Sequence, residues 1–267
     1  MDQFGVMTPA LKALAEVPRP PKLDVRPDSR ETIYHILGAT VKSVRTLGEV
    51  SATGLPDSNG LLFVKVPKGS PAARLGLRDL DVIREVAGKG ISTFEDFVFA
   101  WARAVPADGK IAAQLWRSQA AQPLSLPPFP GRRFAAADAR IVARNPDPVY
   151  DAAKNYIGRW TDAAAILEWP GVVVDERGPY LLLIEQAFPS SAPTTYSIEG
   201  LGSTPLAVST TQTVDWEEFE KVVVGKVAVD RRGPTTVKIR PIEARSGAVM
   251  NFRGMIVLPT TAPVETE

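Results

Sequence analysis

His35 is the only histidine in the chain, and there is no cysteine. Disulfides, thiol nucleophiles and cysteine metal sites are therefore excluded, as is a metal site built on several imidazoles. A Ser-His-Asp triad would have to use His35, yet no motif such as G-x-S-x-G stands near it. A surface or loop imidazole is its plainer role. The acid pairs Glu217-Glu218 and Asp175-Glu176 have the setting of solvated loop or strand-edge residues, not of a facing acid–base pair. Lys plus Arg number 31 and Asp plus Glu 30, for a net charge of +1. That balance offers no electrostatic grip on nucleic acid or an anionic membrane. No apolar run approaches the roughly 18–20 residues that span a bilayer. The chemistry that remains is that of a non-catalytic binding protein.

The elements that position any binding residues can be read from the punctuation. The 267 residues allow one large domain or two ordinary ones, and 45% hydrophobic with 23% charged residues is an ordinary globular balance. Proline-rich stretches at 18–27 and 123–133 disfavour helix and read as extended borders. They predict an N-terminal helix and linker (1–29), a first domain (30–127), a linker (128–133), a second domain (134–259) and a tail (260–267). Each domain is then expected to fold by itself. Near the start, Val6, Leu11, Leu14 and Val17 share one helical face, with Thr8 as N-cap and Pro9 at N1. This is either a short helix packed on the first domain or the end of an upstream one. The start has neither the basic residues nor the unbroken apolar stretch of a signal peptide.

The first domain reads as α+β. Residues 61–66 and 81–86 are β-rich, and Ser70-Pro71 with Gly76 punctuates a short helix at both ends. Ser92 with Glu95 forms a capping box for a second helix, along which Phe94, Phe97, Val98 and Trp101 make one apolar stripe. Residues 111–116 and 123–126 close it as a strand pair. Residues 46–58 read as an insertion. The second domain reads as all-β, with runs at 172–174, 180–184, 222–229 and 255–258 between Gly, Pro and Ser clusters. In residues 235–240, Val237 and Ile239 alternate with polar residues, as in a half-buried sandwich strand.

Asn59-Gly60-Leu61-Leu62-Phe63-Val64, Gly69-Ser70-Pro71-Ala72-Ala73, Gly76-Leu77, Asp81-Val82-Ile83 and Gly88 together resemble a PDZ domain of the permuted bacterial HtrA-like type, over residues 30–126. The resemblance implies that Ile36-Leu37-Gly38-Ala39 is the loop that binds a peptide C-terminus. There, successive backbone N–H groups make a nest for the carboxylate, and glycine permits the turn. The peptide would add as a strand beside 40–44, starting at Thr40, with Phe97, Val98 and Trp101 as candidate wall residues. Ala39 is smaller than the usual loop residue, and the 46–58 segment is placed to cover the groove.

Tyr156-Ile157-Gly158-Arg159-Trp160, Ile166-Leu167-Glu168-Trp169, Gly178-Pro179-Tyr180, Trp216-Glu217-Glu218-Phe219 and Gly247-Ala248-Val249-Met250-Asn251-Phe252-Arg253 resemble a jelly-roll sandwich. The type is the carbohydrate-binding kind appended to bacterial α-L-fucosidases and sulfatases, and the match covers residues 134–259. A pyranose packs its C–H face on an aromatic ring, and its hydroxyls seek amides or carboxylates. The resemblance puts Trp216 and Asn251 at the platform and amide positions, with Trp160 as a second platform. Trp169, Tyr180 and Phe219 read as core, Trp160 also as a plug of the sandwich end, and Asn251 also as a turn residue. Asp138 stands where related sandwiches hold a structural calcium, and no other cofactor is implied.

Together the resemblances imply a protein C-terminal peptide and a glycan as partners, with no nucleic acid and no membrane span. They imply an accessory region of a secreted bacterial glycan-degrading hydrolase, extracellular or periplasmic. The alternatives are an interaction scaffold without sugar affinity and a regulatory fragment of a protease.

Overall fold

The structure is a computed structural model that describes residues 32–174, 176–230 and 233–260. The helix expected near the start, Asp175 and the tail beyond 260 lie outside the described residues. The described residues from Ile33 to Thr260 belong to one compact unit.

The first part is a seven-stranded antiparallel sheet with three helices. Along the chain it runs β1 (Tyr34–Ile36), β2 (Ala39–Ser43), α1 (Leu47–Thr53), β3 (Leu61–Lys65), α2 (Pro71–Arg74), β4 (Val82–Val86), β5 (Lys89–Gly90), α3 (Phe94–Arg103), β6 (Ile111–Arg117) and β7 (Ala120–Leu126). The strand order is β1-β2-β3-β4-β6-β7, with β5 on β4. Ser70 caps α2, accepting from the Ala73 N–H at 3.1 Å, with Pro71 at N1. The cap of α3 is shifted from its expected place: Thr93 is the N-cap and Asp96 closes the box, not Ser92 and Glu95. A carboxylate stands three residues after both Ser92 and Thr93, so two overlapping boxes competed for one helix start.

Residues 46–58 do not cover a groove. Thr46 and Glu49 form a capping box that starts α1. Val50, Val44, Leu55, Leu62, Val82 and Trp116 cluster together, whereas Leu61, Phe63 and Ile83 belong to the cluster that holds α3. Neighbouring strand residues point to opposite faces, so α1 and α3 cover opposite faces of this sheet.

The second part is a β-sandwich. It runs β8 (Arg132–Ala135), a 3-10 turn (Ala136–Asp138), β9 (Arg140–Val142), β10 (Val149–Asp151), β11 (Tyr156–Gly158), β12 (Ile166–Val172), β13 (Gly178–Ala187), β14 (Thr194–Glu199), β15 (Leu206–Ser209), β16 (Glu220–Val229), β17 (Thr235–Ala244) and β18 (Asn251–Pro259). One sheet has the order β10-β11-β18-β13-β16 with β8 beside β18, the other β15-β14-β17-β12-β9. Tyr180, Leu182, Ile184, Met255 and Val257 face the other sheet's Leu167, Val237 and Ile239.

The alternate residues of β13 and β18 leave the sandwich. Leu181, Leu183, Ile256 and Leu258 share one apolar cluster with Phe97, Val98, Phe99 and Trp101 of α3. The sheet is therefore buried on both faces, and α3 lies between the two parts. Polar contacts tie the same seam: Arg103 to Glu185, and Lys221 Nζ to Asp96 at 2.6 Å. The expected linker 128–133 is packed as well. Phe129 meets Trp101 edge-on at 5.4 Å, Trp101 Nε1 donates to the Pro127 carbonyl at 2.8 Å, and Arg132 and Arg133 already pair with β18.

On the outer sheet Glu168 faces Arg140 of β9 and Lys238 of β17 across the ladder and pairs with both. Hydrogen bonds from Arg140 and Lys238 hold its carboxyl below the usual carboxylate range, against the opposing effect of burial. A depressed folded value contributes stability above the unfolded value of about 4.3, lost as pH falls through the folded one. Melting temperature measured from pH 6 to pH 2.5 should drop more steeply for the parent than for Glu168→Gln. Parallel curves would show that the triad carries no acid sensitivity.

Candidate functional site

At one end of the sandwich, β10, β11, the start of β18 and the loop before β16 surround a cavity of about 340 Å³. Its lining includes Tyr156, Arg159, Trp160, Trp216, Met250 and Asn251. The three residues singled out for sugar binding thus come together, although they lie far apart in sequence.

Their roles differ. Trp216 is 39% exposed, and its ring stands edge-on to Phe188 at 5.9 Å, a fixed indole with solvent access. Its loop is pinned from several sides. Thr213 donates its hydroxyl to the Asp215 carbonyl and accepts from the Phe188 N–H, each at 2.8 Å. The Asp215 carboxylate accepts from the Glu217 and Glu218 N–H groups at 2.6 and 2.7 Å. Asn251 is buried, and its Nδ2 donates to the Trp216 carbonyl at 2.7 Å. The amide therefore holds the platform, and its part in any ligand contact falls to Oδ1. Trp160 is a correction: at 2% exposure it belongs to the sandwich core, so its ring offers no stacking face.

Residues of the same motifs to which no ligand role was given complete the cleft. Tyr156 packs tilted on Phe219 at 5.3 Å, and the Arg253 guanidinium lies 3.6 Å over the other ring of that pair, Phe219. Phe219 is therefore a support for the rim and not core. At Gly158 an added Cβ would stand 2.7 Å from the Tyr156 ring and 3.1 Å from Asn251 Oδ1, so glycine keeps this floor open. Arg159 pairs with Asp147 and Lys154 with Glu217, both at the surface. Asp138 lies exposed in the 3-10 turn. Among the described residues no group of His, Cys, Asp and Glu side chains is suited to a metal ion.

The groove expected in the first part is built differently. Leu37 and Gly38, at φ 53° and 70°, form a two-residue turn between β1 and β2, with Ile36 opposite Ala39. Two left-handed residues in succession make a tight hairpin of the I′ kind. Thr40 faces His35 on one side and Lys65 of β3 on the other, so the β2 edge along 39–41 is already taken. Phe97, Val98 and Trp101 are wholly buried because α3 is covered by both sheets, and they are core and not groove wall. Ile36 and Ala39 are buried with them. Gly38→Val should therefore act on the fold. Its Cβ would lie 3.1 Å from Pro71 Cδ and Ser70 Cβ at a positive φ. A loss of about 2 kcal/mol or more is expected in chemical denaturation. Unchanged stability would contradict the turn geometry.

No family model matches the chain. A stretch of 55 residues is 46% identical to a putative serine protease HhoB of Synechocystis sp. and covers 21% of this chain and 13% of that protein. Among solved structures, the chain is similar to a family 35 carbohydrate-binding module from Clostridium thermocellum, at 17% identity and a TM-score of 0.38, over 48% of this chain and 96% of the other. It is also similar to the C-terminal family 6 module of LamC from Zobellia galactanivorans, at 16% identity and a TM-score of 0.38, over 48% and 99%. No helix among the described residues is long and apolar enough to cross a membrane.

Proposed function

We propose that this chain is a non-catalytic binding region whose sandwich holds carbohydrate in the Trp216 cleft. The observation that carries this reading is the half-exposed indole held rigid over an apolar hollow, with Tyr156, Arg159 and the Asn251 amide around it. That is the composition a pyranose needs: a flat apolar face and a few directional polar groups. A peptide C-terminus would add to the β2 edge beside α3 only with β1 displaced from it. The region serves as an accessory to an extracellular or periplasmic glycan-degrading hydrolase.

One stacked ring and a few exposed hydrogen bonds leave about −4 to −6 kcal/mol, or millimolar to high micromolar affinity. A glycan array followed by calorimetry on the parent protein identifies the sugar. Trp216→Ala should then weaken binding at least about tenfold while a single cooperative unfolding transition is retained. Asn251→Ala should weaken binding and also cost about 1–2 kcal/mol, because the Trp216 carbonyl loses its donor. No binding by the parent, or full binding by Trp216→Ala, would leave the scaffold reading in its place.

A further inference from the structure

We propose that β1 is a built-in ligand of the first part, docked on β2 and α3 where an extended peptide supplied in trans would dock. The proposal rests on the peptide-site reading given above. β1 runs antiparallel to β2, with Tyr34 opposite Val41, His35 opposite Thr40 and Ile36 opposite Ala39. Without β1, the β2 edge would be free for strand addition. The two side chains that leave β1 on the helix side are held as ligand groups would be. Tyr34 stacks on Phe94, the first residue of α3, with centroids 3.7 Å apart and planes 8° from parallel. Its hydroxyl donates to Glu95 at 3.2 Å. Ile36 is 1% exposed, in the apolar cluster that contains α3. His35, between them, lies on the other face with its Nδ1 3.5 Å from Thr40 Oγ1. The segment therefore reads as aromatic–any–aliphatic, two anchors on one side of a strand, tethered through Leu37-Gly38. Its pairing with β2 spans three residue pairs, against seven between β6 and β7.

A tethered ligand competes at its effective concentration, and an external peptide sees only the fraction of molecules in which β1 is displaced. The external ligand of the groove is accordingly an extended segment with the same aromatic–any–aliphatic pattern.

The test uses the full chain and one probe, an N-terminally labelled peptide of residues 27–36, PDSRETIYHI, ending at a free carboxylate. Fluorescence polarisation should show weak binding to the parent. Tyr34→Ala should bind at least about tenfold tighter, since the tethered strand loses its stacked pair and its hydrogen bond to Glu95. The chain has no cysteine, so Tyr34→Ala/His35→Cys/Thr40→Cys adds a clean lock across a facing strand pair. Its reduced form should bind like Tyr34→Ala, and its oxidised form should fall back to the parent level or below. If Tyr34→Ala does not fold, His35→Cys/Thr40→Cys alone carries the test, with binding at high probe concentration in the reduced form and none in the oxidised form. Equal binding by the parent, the Tyr34→Ala variant and the oxidised lock would overturn self-occupancy while leaving the peptide site standing. No binding by any folded form would remove both.

Discussion

Leu183→Asp is expected to destabilise the whole region by more than about 4 kcal/mol, because it places an unpaired carboxylate inside a dry seam. Leu183 is fully buried, and it faces α3 and not the sandwich interior. A typical domain has about 5–15 kcal/mol in total, so much of the margin disappears. The informative measurement is where the loss is felt. Hydrogen exchange in β4 and β6 of the first part should accelerate together with exchange in β13 and β18. Confinement of the loss to the sandwich would mean that the shared cluster does not couple the two parts. The same logic reverses the sequence-based expectation of two self-sufficient domains. Fragments divided near Pro130 should each expose one side of the seam and melt broadly or aggregate.

Trp101→Ala is expected to cost about 3–5 kcal/mol, the range for emptying a large buried aromatic site. The indole is fully buried, packs on Phe97 at 5.4 Å and on Phe129, and bonds to the Pro127 carbonyl. It thus fastens α3 to the connector between the two parts. Denaturant titration should show the midpoint falling with a single transition retained. A loss below about 1 kcal/mol would fit an exposed groove wall instead.

These expectations separate what could be read from the residues from what could not. Ser70-Pro71 and the Val237–Ile239 alternation each carry their structure locally, through a cap or a period, and both were readable. The Thr46-x-x-Glu49 box that starts α1 was equally local, but the segment was read as an insertion and not as a helix. The runs Leu181-Leu182-Leu183-Ile184 and Met255-Ile256-Val257-Leu258 held the larger message. A strand covered on one face alternates, and a strand covered on both does not. Those unbroken runs were therefore a sign that something lay on the outer face, though nothing in them named α3. The cleft was legible by residue type and not by role. An indole on a rim and an indole in a core have the same letter, so Trp216 and Trp160 could be told apart only by what packed on them. At Ile36-Leu37-Gly38-Ala39 the glycine was read as serving a ligand, when the turn it makes serves the strand before it.

A sheet with both faces covered also fixes a distance. Two binding modules on a flexible tether explore many separations, so a second contact forms over a broad range of target spacings, at an effective concentration set by the tether's length. Here Leu181, Leu183, Ile256 and Leu258 replace the tether with a solid joint. The Trp216 cleft and the β2 edge keep one separation and one mutual orientation. Such a region behaves as a ruler. If the cleft takes sugar and the β2 edge peptide, as proposed, avidity would come only from a partner that presents the two at that spacing.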